Sequence, residues 1–108
     1  MSAALLVVRA EVPDPADRGP FDHWYATDHL PWAIRVFRAR RGWRCWSRTE
    51  PGVHYAFYEF ADIDEARAAT DSEKSAPLVA DFDRVWTDRA PRRREILEIV
   101  QEMELATP

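Results

Sequence analysis

The side chains best suited to moving a proton lie in the segment 21–31, which carries His23, Tyr25 and His29. On a helical wheel of about 100° per residue centred on Leu30, His29 falls on the flank of the apolar stripe, and Tyr25 precedes it by four residues. A flank position borders a cavity, so His29 is a candidate acid or base and Tyr25 a group that orients or protonates a ligand. The alternative is that His29 only hydrogen-bonds the backbone near a kink.

The other histidines and the single cysteine are weaker candidates for a functional site. His23 falls in the apolar stripe and is six residues from His29, on a poorly matched helix face, so no metal site is expected. His54 follows a turn at a strand start, where it is a candidate ligand contact at the cavity rim; a surface position is the alternative. Cys45 reads as a small core residue without a pattern that indicates a nucleophile.

A carboxylate lies among aromatic residues in the third predicted strand. Because strand neighbours alternate, Tyr55, Phe57 and Glu59 share one face, and the end of the strand must pack beneath the following helix, which places these three on the open face. Tyr55 and Phe57 are therefore candidate ligand contacts. Desolvation would raise the pKa of Glu59 and suit it to act as a base. The alternative is a salt bridge to Arg44 or Arg48 of the second strand.

The elements that position these residues follow from periodicity and from turn-forming residues. A helix over 21–37 is expected to kink or restart near Leu30, because Pro31 lacks an amide hydrogen. The last apolar run fits a strand or a helix, and the order β-α-β-β-α-β favours a strand. The predicted elements are strand one at 3–12, a loop at 14–20, the kinked helix, strands at 40–49 and 54–60 joined by a turn, a helix from Asp62 to near Ser72 with an Asp62/Glu65 capping box, a short helix at 77–88, and a strand at 94–105.

Composition limits the class of protein. A chain of 108 residues with 46% apolar and 31% charged residues fits one domain, residues 1–108. A net charge of -4 argues against a nucleic-acid partner. The N-terminal apolar run is too short to span a membrane and lacks the basic start of a signal peptide, and one cysteine suits a reducing compartment. We therefore expect no membrane partner and a cytoplasmic location.

The predicted order corresponds to an α+β ferredoxin-like fold, a four-stranded antiparallel sheet with helices on one face. Aromatic residues make up 12% of the chain, more than one helical layer needs, and a bare apolar sheet face usually marks an interface or a binding site. We expect two copies to form a twofold dimer that covers this face. The resulting cavity would lie between the sheets or between sheet and helix.

The stretch from Trp24 to Pro31 reads W-Y-x-x-x-H-L-P and resembles the start of the first helix in dimeric α/β-barrel proteins, including relatives of the EthD group. Gly42-Trp43 and the strand 55–60 with its following helix are similar to the rest of that pattern. The resemblance implies a homodimer of ferredoxin-like subunits. It places the histidine of the motif, His29, at a ligand cavity as a catalytic candidate. Trp24, in the same stretch, is a candidate ligand contact.

The superfamily that this motif resembles includes cofactor-independent monooxygenases, lactone isomerases, polyketide cyclases and haem-handling enzymes, and the chain has no clear haem-ligand signature. The leading hypothesis is an enzyme without a cofactor that acts on a small apolar or aromatic molecule by proton transfer, with His29 as acid or base and Tyr25 and Glu59 as helpers. The alternative is a non-catalytic dimeric ligand-binding or stress-related protein. An enzyme needs polar groups that converge in the cavity, whereas a carrier needs only aromatic walls.

Overall fold

Four strands form one antiparallel sheet in the order β2-β3-β1-β4 in the computed structural model, which describes residues 2–71 and 73–106. The two long central strands supply the strand residues of the core. The bounds are β1 Ala4–Glu11, β2 Arg41–Trp46, β3 Val53–Phe60 and β4 Arg92–Glu98. The predicted four-stranded antiparallel sheet is therefore confirmed. The last strand ends earlier than predicted, and residues 99–106 have no regular secondary structure.

Helices cover one face of this sheet. Their buried side chains form one core with the strand residues that point toward them, such as Leu6, Val8, Ala56 and Tyr58. The bounds are α1 Pro15–Trp24, α2 Leu30–Phe37, α3 Ile63–Asp71 and α4 Ala76–Trp86, with a π-helical turn at Tyr25–His29 and short 3₁₀ turns at Glu73–Ser75 and Thr87–Arg89. The predicted α+β ferredoxin-like arrangement is confirmed. None of the helices in the described ranges is long and apolar enough to cross a membrane.

The predicted loop at 14–20 is wrong, because α1 already begins at Pro15. The Asp14 side chain accepts a hydrogen bond from the backbone N–H of Ala16 at 3.0 Å and so caps the helix. Pro15 occupies the first turn, where an amide hydrogen would have no partner. Arg18 also ties α1 to the end of β1, since its Nε donates to the Val12 carbonyl at 3.0 Å. The Asp14 cap and the Arg18 contact therefore stabilise a helix in a segment whose prolines indicate a loop.

The restart near Leu30 is confirmed, and its cause is a π-helical turn. The backbone N–H of Leu30 donates to the Tyr25 carbonyl, five residues back, and Pro31 then falls in the first turn of α2. The wheel centred on Leu30 is wrong, however, because Leu30 is only half-buried. The row that faces the sheet is Phe21, Tyr25, His29, Ala33 and Phe37, at intervals of four residues.

The helix after β3 begins as the capping pattern predicts. The backbone N–H of Glu65 donates to Asp62 Oδ1 at 2.9 Å, and Glu65 Oε2 accepts from the Ala61 N–H at 3.2 Å. The predicted end near Ser72 lies outside the described residues. The next helix, predicted at 77–88, is confirmed as α4.

Replacement of Pro31 tests the position of the restart. We expect Pro31→Ala to change the free energy of unfolding by less than about 1 kcal/mol, because a proline in the first helical turn removes no hydrogen bond. Urea denaturation measures this change. Ala33→Pro, in the interior of the same helix, is the control and should cost about 3 kcal/mol or more. A gain of several kcal/mol in Pro31→Ala would place the proline inside a continuous helix instead.

Candidate functional site

The sheet separates the residues that the sequence nominated into two groups. Tyr25, His29, Trp24 and His54 lie on the side of the helices, where they belong to or contact the aromatic core. Tyr55, Phe57 and Glu59 lie on the opposite face, as the strand alternation predicted. One chain therefore does not bring the predicted catalytic residues together, and Glu59 is on the other side of the sheet from His29.

A small enclosed space lies between the helices and the sheet, and we call it the inner cavity. Its polar lining consists of Tyr25, His29, Tyr58, Arg92 and Arg94, and its apolar lining of Val8, Phe37, Leu78 and Phe82. The free volume is about 10 Å³, which is room for about one water molecule. The inner cavity therefore concentrates polar groups in an apolar shell but must widen to admit a ligand.

Two tyrosines at the inner cavity form a buried pair. The side chains of Tyr25 and Tyr58 are hydrogen-bonded to each other, and both residues are almost fully buried. Burial raises the pKa of Tyr25 to about 12 and raises the pKa of Tyr58 well above its ordinary value. Both hydroxyls therefore stay protonated at neutral pH, and because one donates to the other within the pair, the second hydroxyl hydrogen is left to donate to a ligand.

His29 is held by aromatic rings. Its ring stacks on Trp24 with the ring centroids 4.7 Å apart, and the edge contacts to Tyr25 and Phe82 are at 4.9 Å and 5.6 Å. Burial, aided by the positive charge of Arg92, lowers the pKa of His29 to about 4. Its Nδ1 is buried and has no hydrogen-bond partner among the described residues. The predicted flank position is thus wrong, because His29 lies in the buried row itself, where the imidazole is a neutral group.

The two arginines of the inner cavity differ in their partners. The Arg92 guanidinium lies over the Phe82 ring at 3.9 Å from the centroid and donates to Asp83 Oδ1 at 2.7 Å. Arg94 forms no ion pair within the described ranges, and burial lowers its pKa, with Arg92 acting in the same direction. Both side chains come from alternate positions of β4 that face the helices.

A larger groove opens beside the inner cavity, and we call it the outer groove. It has a volume of about 540 Å³ and is lined by Val79, Asp83, Thr87, Ala90, Pro91, Arg92, Arg93 and Arg94. This volume lies in the range of small-molecule sites. Because Arg92 and Arg94 line both spaces, the outer groove is the direct neighbour of the inner cavity.

His54 does not reach a cavity rim, and that prediction is wrong. It is fully buried against the rings of Phe21 and Trp46, at 5.1 Å and 4.9 Å, and burial lowers its pKa to about 3. Arg44 Nη1 lies 3.1 Å from His54 Nε2 and also donates to Asp22 Oδ1 at 3.0 Å. The same Asp22 oxygen accepts from Trp46 Nε1 at 2.7 Å. His54 therefore belongs to a structural network that joins α1 to the sheet.

Glu59 is ion-paired, and its predicted raised pKa is wrong. The carboxylate accepts from Arg41 Nε in a close contact and from Arg40 Nη2 at 2.9 Å. The hydrogen bond from Arg41 is the main reason that the pKa of Glu59 is lowered. The predicted salt bridge forms, but not with Arg44 or Arg48, because Arg41 is the residue opposite Glu59 in the β2–β3 register and Arg44 points to the helices.

Aromatic rings line the open face of the sheet. Trp43 stacks on Phe57 with the centroids 5.4 Å apart, and Tyr55 stacks on Phe57 at 6.1 Å. All three are half-buried, and we call them the aromatic patch. Tyr55 and Phe57 thus line a surface and not the inner cavity.

Sequence reasoning missed Tyr58, Arg92 and Arg94. For Tyr58 the sequence did contain an indication, because strand alternation puts this residue on the same face as Phe60, beneath the helices. The described residues contain no group of three or more His, Cys, Asp or Glu that could hold a metal ion.

Comparison with known proteins identifies the fold. No family model matches the sequence, and no curated protein matches it. Among solved structures, the chain resembles a mutant of SnoaB, a cofactor-independent oxygenase from Streptomyces nogalater, at 14% identity and a TM-score of 0.70, covering 95% of this chain and 98% of that chain.

Two further solved structures show the same architecture. An ethyl tert-butyl ether D (EthD) family protein from Bacillus halodurans has 16% identity and a TM-score of 0.63, over 95% of this chain and 100% of that chain. A dimeric ferredoxin-like protein from an uncultured marine organism has 12% identity and a TM-score of 0.64, over 95% of this chain and 100% of that chain. The chain therefore has the ferredoxin-like fold that these proteins share, as the motif at Trp24–Pro31 predicts.

Proposed function

We propose that the chain is a cofactor-independent enzyme that removes a proton from an acidic carbon of a small apolar or aromatic molecule and lets molecular oxygen oxidise that carbon. The observation that carries the proposal is the convergence of Tyr25, His29 and Tyr58 on one aromatic-walled cavity. A carrier needs no such convergence, because aromatic walls alone hold an apolar ligand. The likeness to SnoaB, a cofactor-independent oxygenase, supports the same reaction class.

Each polar group has a role that its surroundings favour. Burial keeps His29 neutral at pH 7, so a ring nitrogen can accept the proton from carbon. The tyrosine pair stays protonated and can donate a hydrogen bond to the oxygen on which the negative charge of the resulting enolate collects. Donors held rigidly by packing in a dry site stabilise that charge better than water does, because they need no reorganisation.

Anthrone, an aromatic ketone with an acidic methylene group, is an example of a substrate for which the atoms and electrons of this reaction balance. His29 takes one proton from the methylene carbon, and the carbanion gives its electrons to oxygen. One oxygen atom becomes the new carbonyl, and the other leaves as water with both methylene hydrogens, so anthrone and oxygen give anthraquinone and water. The substrate supplies all the electrons, and the chain only moves protons and stabilises charge.

We also propose that two copies pair through their open sheet faces. The aromatic patch is half-buried within one chain and is flanked by the Glu59 ion pairs at one end and by Arg9, which pairs with Glu11 and Glu50, at the other. A face with an apolar centre and a charged rim is typical of an interface. A structure with the same fold is described as dimeric, which supports this assembly.

Oxidation of anthrone tests the enzymatic proposal. The wild-type protein should consume oxygen and produce anthraquinone faster than the uncatalysed reaction, measured with an oxygen electrode and by absorbance. His29→Gln should lower the rate by about 100-fold or more, because it removes the base. His23→Gln, on an exposed position of α1, is the matched control and should keep the wild-type rate. Binding of anthrone without turnover would favour the ligand-binding alternative, and an active His29→Gln would overturn the role of His29.

Stability should fall as the pH is lowered from 7 to 5. In this interval the unfolded chain binds protons on histidines with an ordinary pKa of 6.5, whereas His29 and His54 have pKa values of about 4 and about 3 in the fold and stay neutral. Each contributes about 2 kcal/mol to the loss, since one pKa unit is worth about 1.4 kcal/mol. Urea denaturation at both pH values measures it.

The histidine variants assign this pH dependence. His29→Gln should remove about half of the loss, while His23→Gln should leave it in place. A wild-type free energy of unfolding that is equal at pH 7 and pH 5 would contradict a neutral His29 in the fold.

Light scattering tests the dimer. The wild-type chain should have twice the mass of the 12.6 kDa subunit, with about 800 Å² buried on each partner. Phe57→Glu should produce a monomer, because it places a charge at the centre of the aromatic patch. Ala80→Glu, exposed on α4 on the helix side, is the control and should remain a dimer. A monomeric wild-type protein at micromolar concentration would exclude this assembly.

A further inference from the structure

We infer that the ligand of this site carries a single carboxylate, which Arg94 binds in the outer groove while the aromatic part of the ligand enters the inner cavity. The inference rests on the proposed function only for the location of the reacting part. It specifies a ligand class, aromatic monocarboxylates, through a residue that takes no part in the proposed proton transfer.

The charge of the outer groove differs from that of the whole chain. The chain carries a net charge of -4, yet three consecutive arginines line the groove, opposed by the one carboxylate of Asp83. Arg92 is already engaged by Asp83 at 2.7 Å and by the Phe82 ring. Arg93 lines the edge of the groove, but it is opposite Arg9 in the register of β1 and β4, so its side chain lies on the open face. The guanidinium of Arg94 is thus the one positive charge that faces the helices without an ion-pair partner in the described parts of the chain.

One uncompensated guanidinium matches one negative charge. A carboxylate can accept two parallel hydrogen bonds from an arginine, and such charge-assisted pairs are stronger than neutral hydrogen bonds. A dianion such as a phosphate monoester would bring a second negative charge close to Asp83, which lines the same groove. The observations therefore favour a monoanion.

The position of Arg94 sets how such a ligand would lie. Arg94 lines both spaces, so an anionic group bound to it leaves the rest of the molecule next to the tyrosine pair and Phe82. The outer groove, at about 540 Å³, has room for a small molecule, whereas the inner cavity, at about 10 Å³, accepts an aromatic ring only after widening. The carboxylate contact would hold the ligand at the entrance while this occurs.

The rim of the outer groove also contains a strained residue. Thr87 has a φ of 42°, a conformation that a β-branched residue rarely adopts. Such residues cluster at ligand sites, where the surrounding structure holds them in place. Thr87 follows α4 directly and lies across the groove from β4, which gives a second indication that this groove is a binding site.

A pair of naphthalene compounds tests the ligand class. 2-Naphthoate and 2-naphthylmethanol have the same ring system and differ in charge, and neither has an acidic carbon that the proposed reaction could attack. Titrations followed by tryptophan fluorescence should show 2-naphthoate binding about 10-fold more tightly or better, as expected for a hydrogen bond to a charged group. Arg94→Gln should abolish this preference, and Arg94→Lys should restore part of it.

Arg35→Gln is the matched control, since it removes the same charge from an exposed position of α2 that lines neither the outer groove nor the inner cavity. It should keep the preference for 2-naphthoate. Equal melting temperatures of the two glutamine variants would show that both are folded. A preference that survives Arg94→Gln, or no binding of either compound to the wild-type protein, would overturn the inference. Tighter binding of 2-naphthyl phosphate than of 2-naphthoate would overturn the choice of a monoanion.

The outcomes separate this inference from the proposed function. If the carboxylate preference depends on Arg94 but anthrone is not oxidised, the ligand class stands and the reaction does not. If anthrone is oxidised with dependence on His29 but the preference is absent, the reaction stands and the ligand class fails.

Discussion

The π-helical turn at Tyr25–His29 determines which side chains reach the sheet. From Phe21 to Phe37 there are sixteen steps, and at about 100° per step an uninterrupted α-helix would turn its fourth-residue row by about 160° away from the sheet. One extra residue in the π-helical turn removes about 100° of that drift. The row Phe21, Tyr25, His29, Ala33 and Phe37 consequently stays buried along its whole length. Two polar residues are thereby placed in the core because they fall in register with three apolar ones.

Burial of this row and of Tyr58 explains the shifted pKa values of the site. An imidazole between aromatic rings loses hydration most when it is charged, so His29 stays neutral. A phenol in the same surroundings loses hydration most when it is ionised, so Tyr25 and Tyr58 stay protonated. The same desolvation therefore favours a neutral imidazole and two protonated phenols in neighbouring positions. The free Nδ1 of His29 has a cost in stability, because a buried polar atom without a partner is destabilising.

The sequence predicted the element order, the antiparallel sheet and the face occupied by Tyr55, Phe57 and Glu59, because these depend on strand alternation and on turn residues that act locally. It did not predict the start of α1 or the burial of His29, since both depend on tertiary contacts and on a change of helical period. The prediction that Glu59 assists His29 conflicts with the predicted topology. A base on a helix and a carboxylate on the open face lie on opposite sides of the sheet, so the partner of His29 had to come from the set of His54 and Tyr58.

The small size of the inner cavity agrees with the proposed proton transfer, because the inner cavity and the outer groove would have separate roles. The inner cavity would hold the reacting groups, and the outer groove would bind the ligand first. A dry, narrow cavity keeps His29 neutral and the tyrosine donors fixed, and a permanently wide one would fill with water and weaken both effects. Its wall toward the outer groove is formed by Arg92 and Arg94, which line both spaces, and Arg92 is held by a single exposed carboxylate, Asp83. An ion pair with one exposed partner is worth little, about 1 kcal/mol or less, so this wall resists displacement far less than the packed row on the other side. A ligand anchored beside Arg92 would widen the inner cavity at the one side where little packing is lost, and would exclude water as it entered.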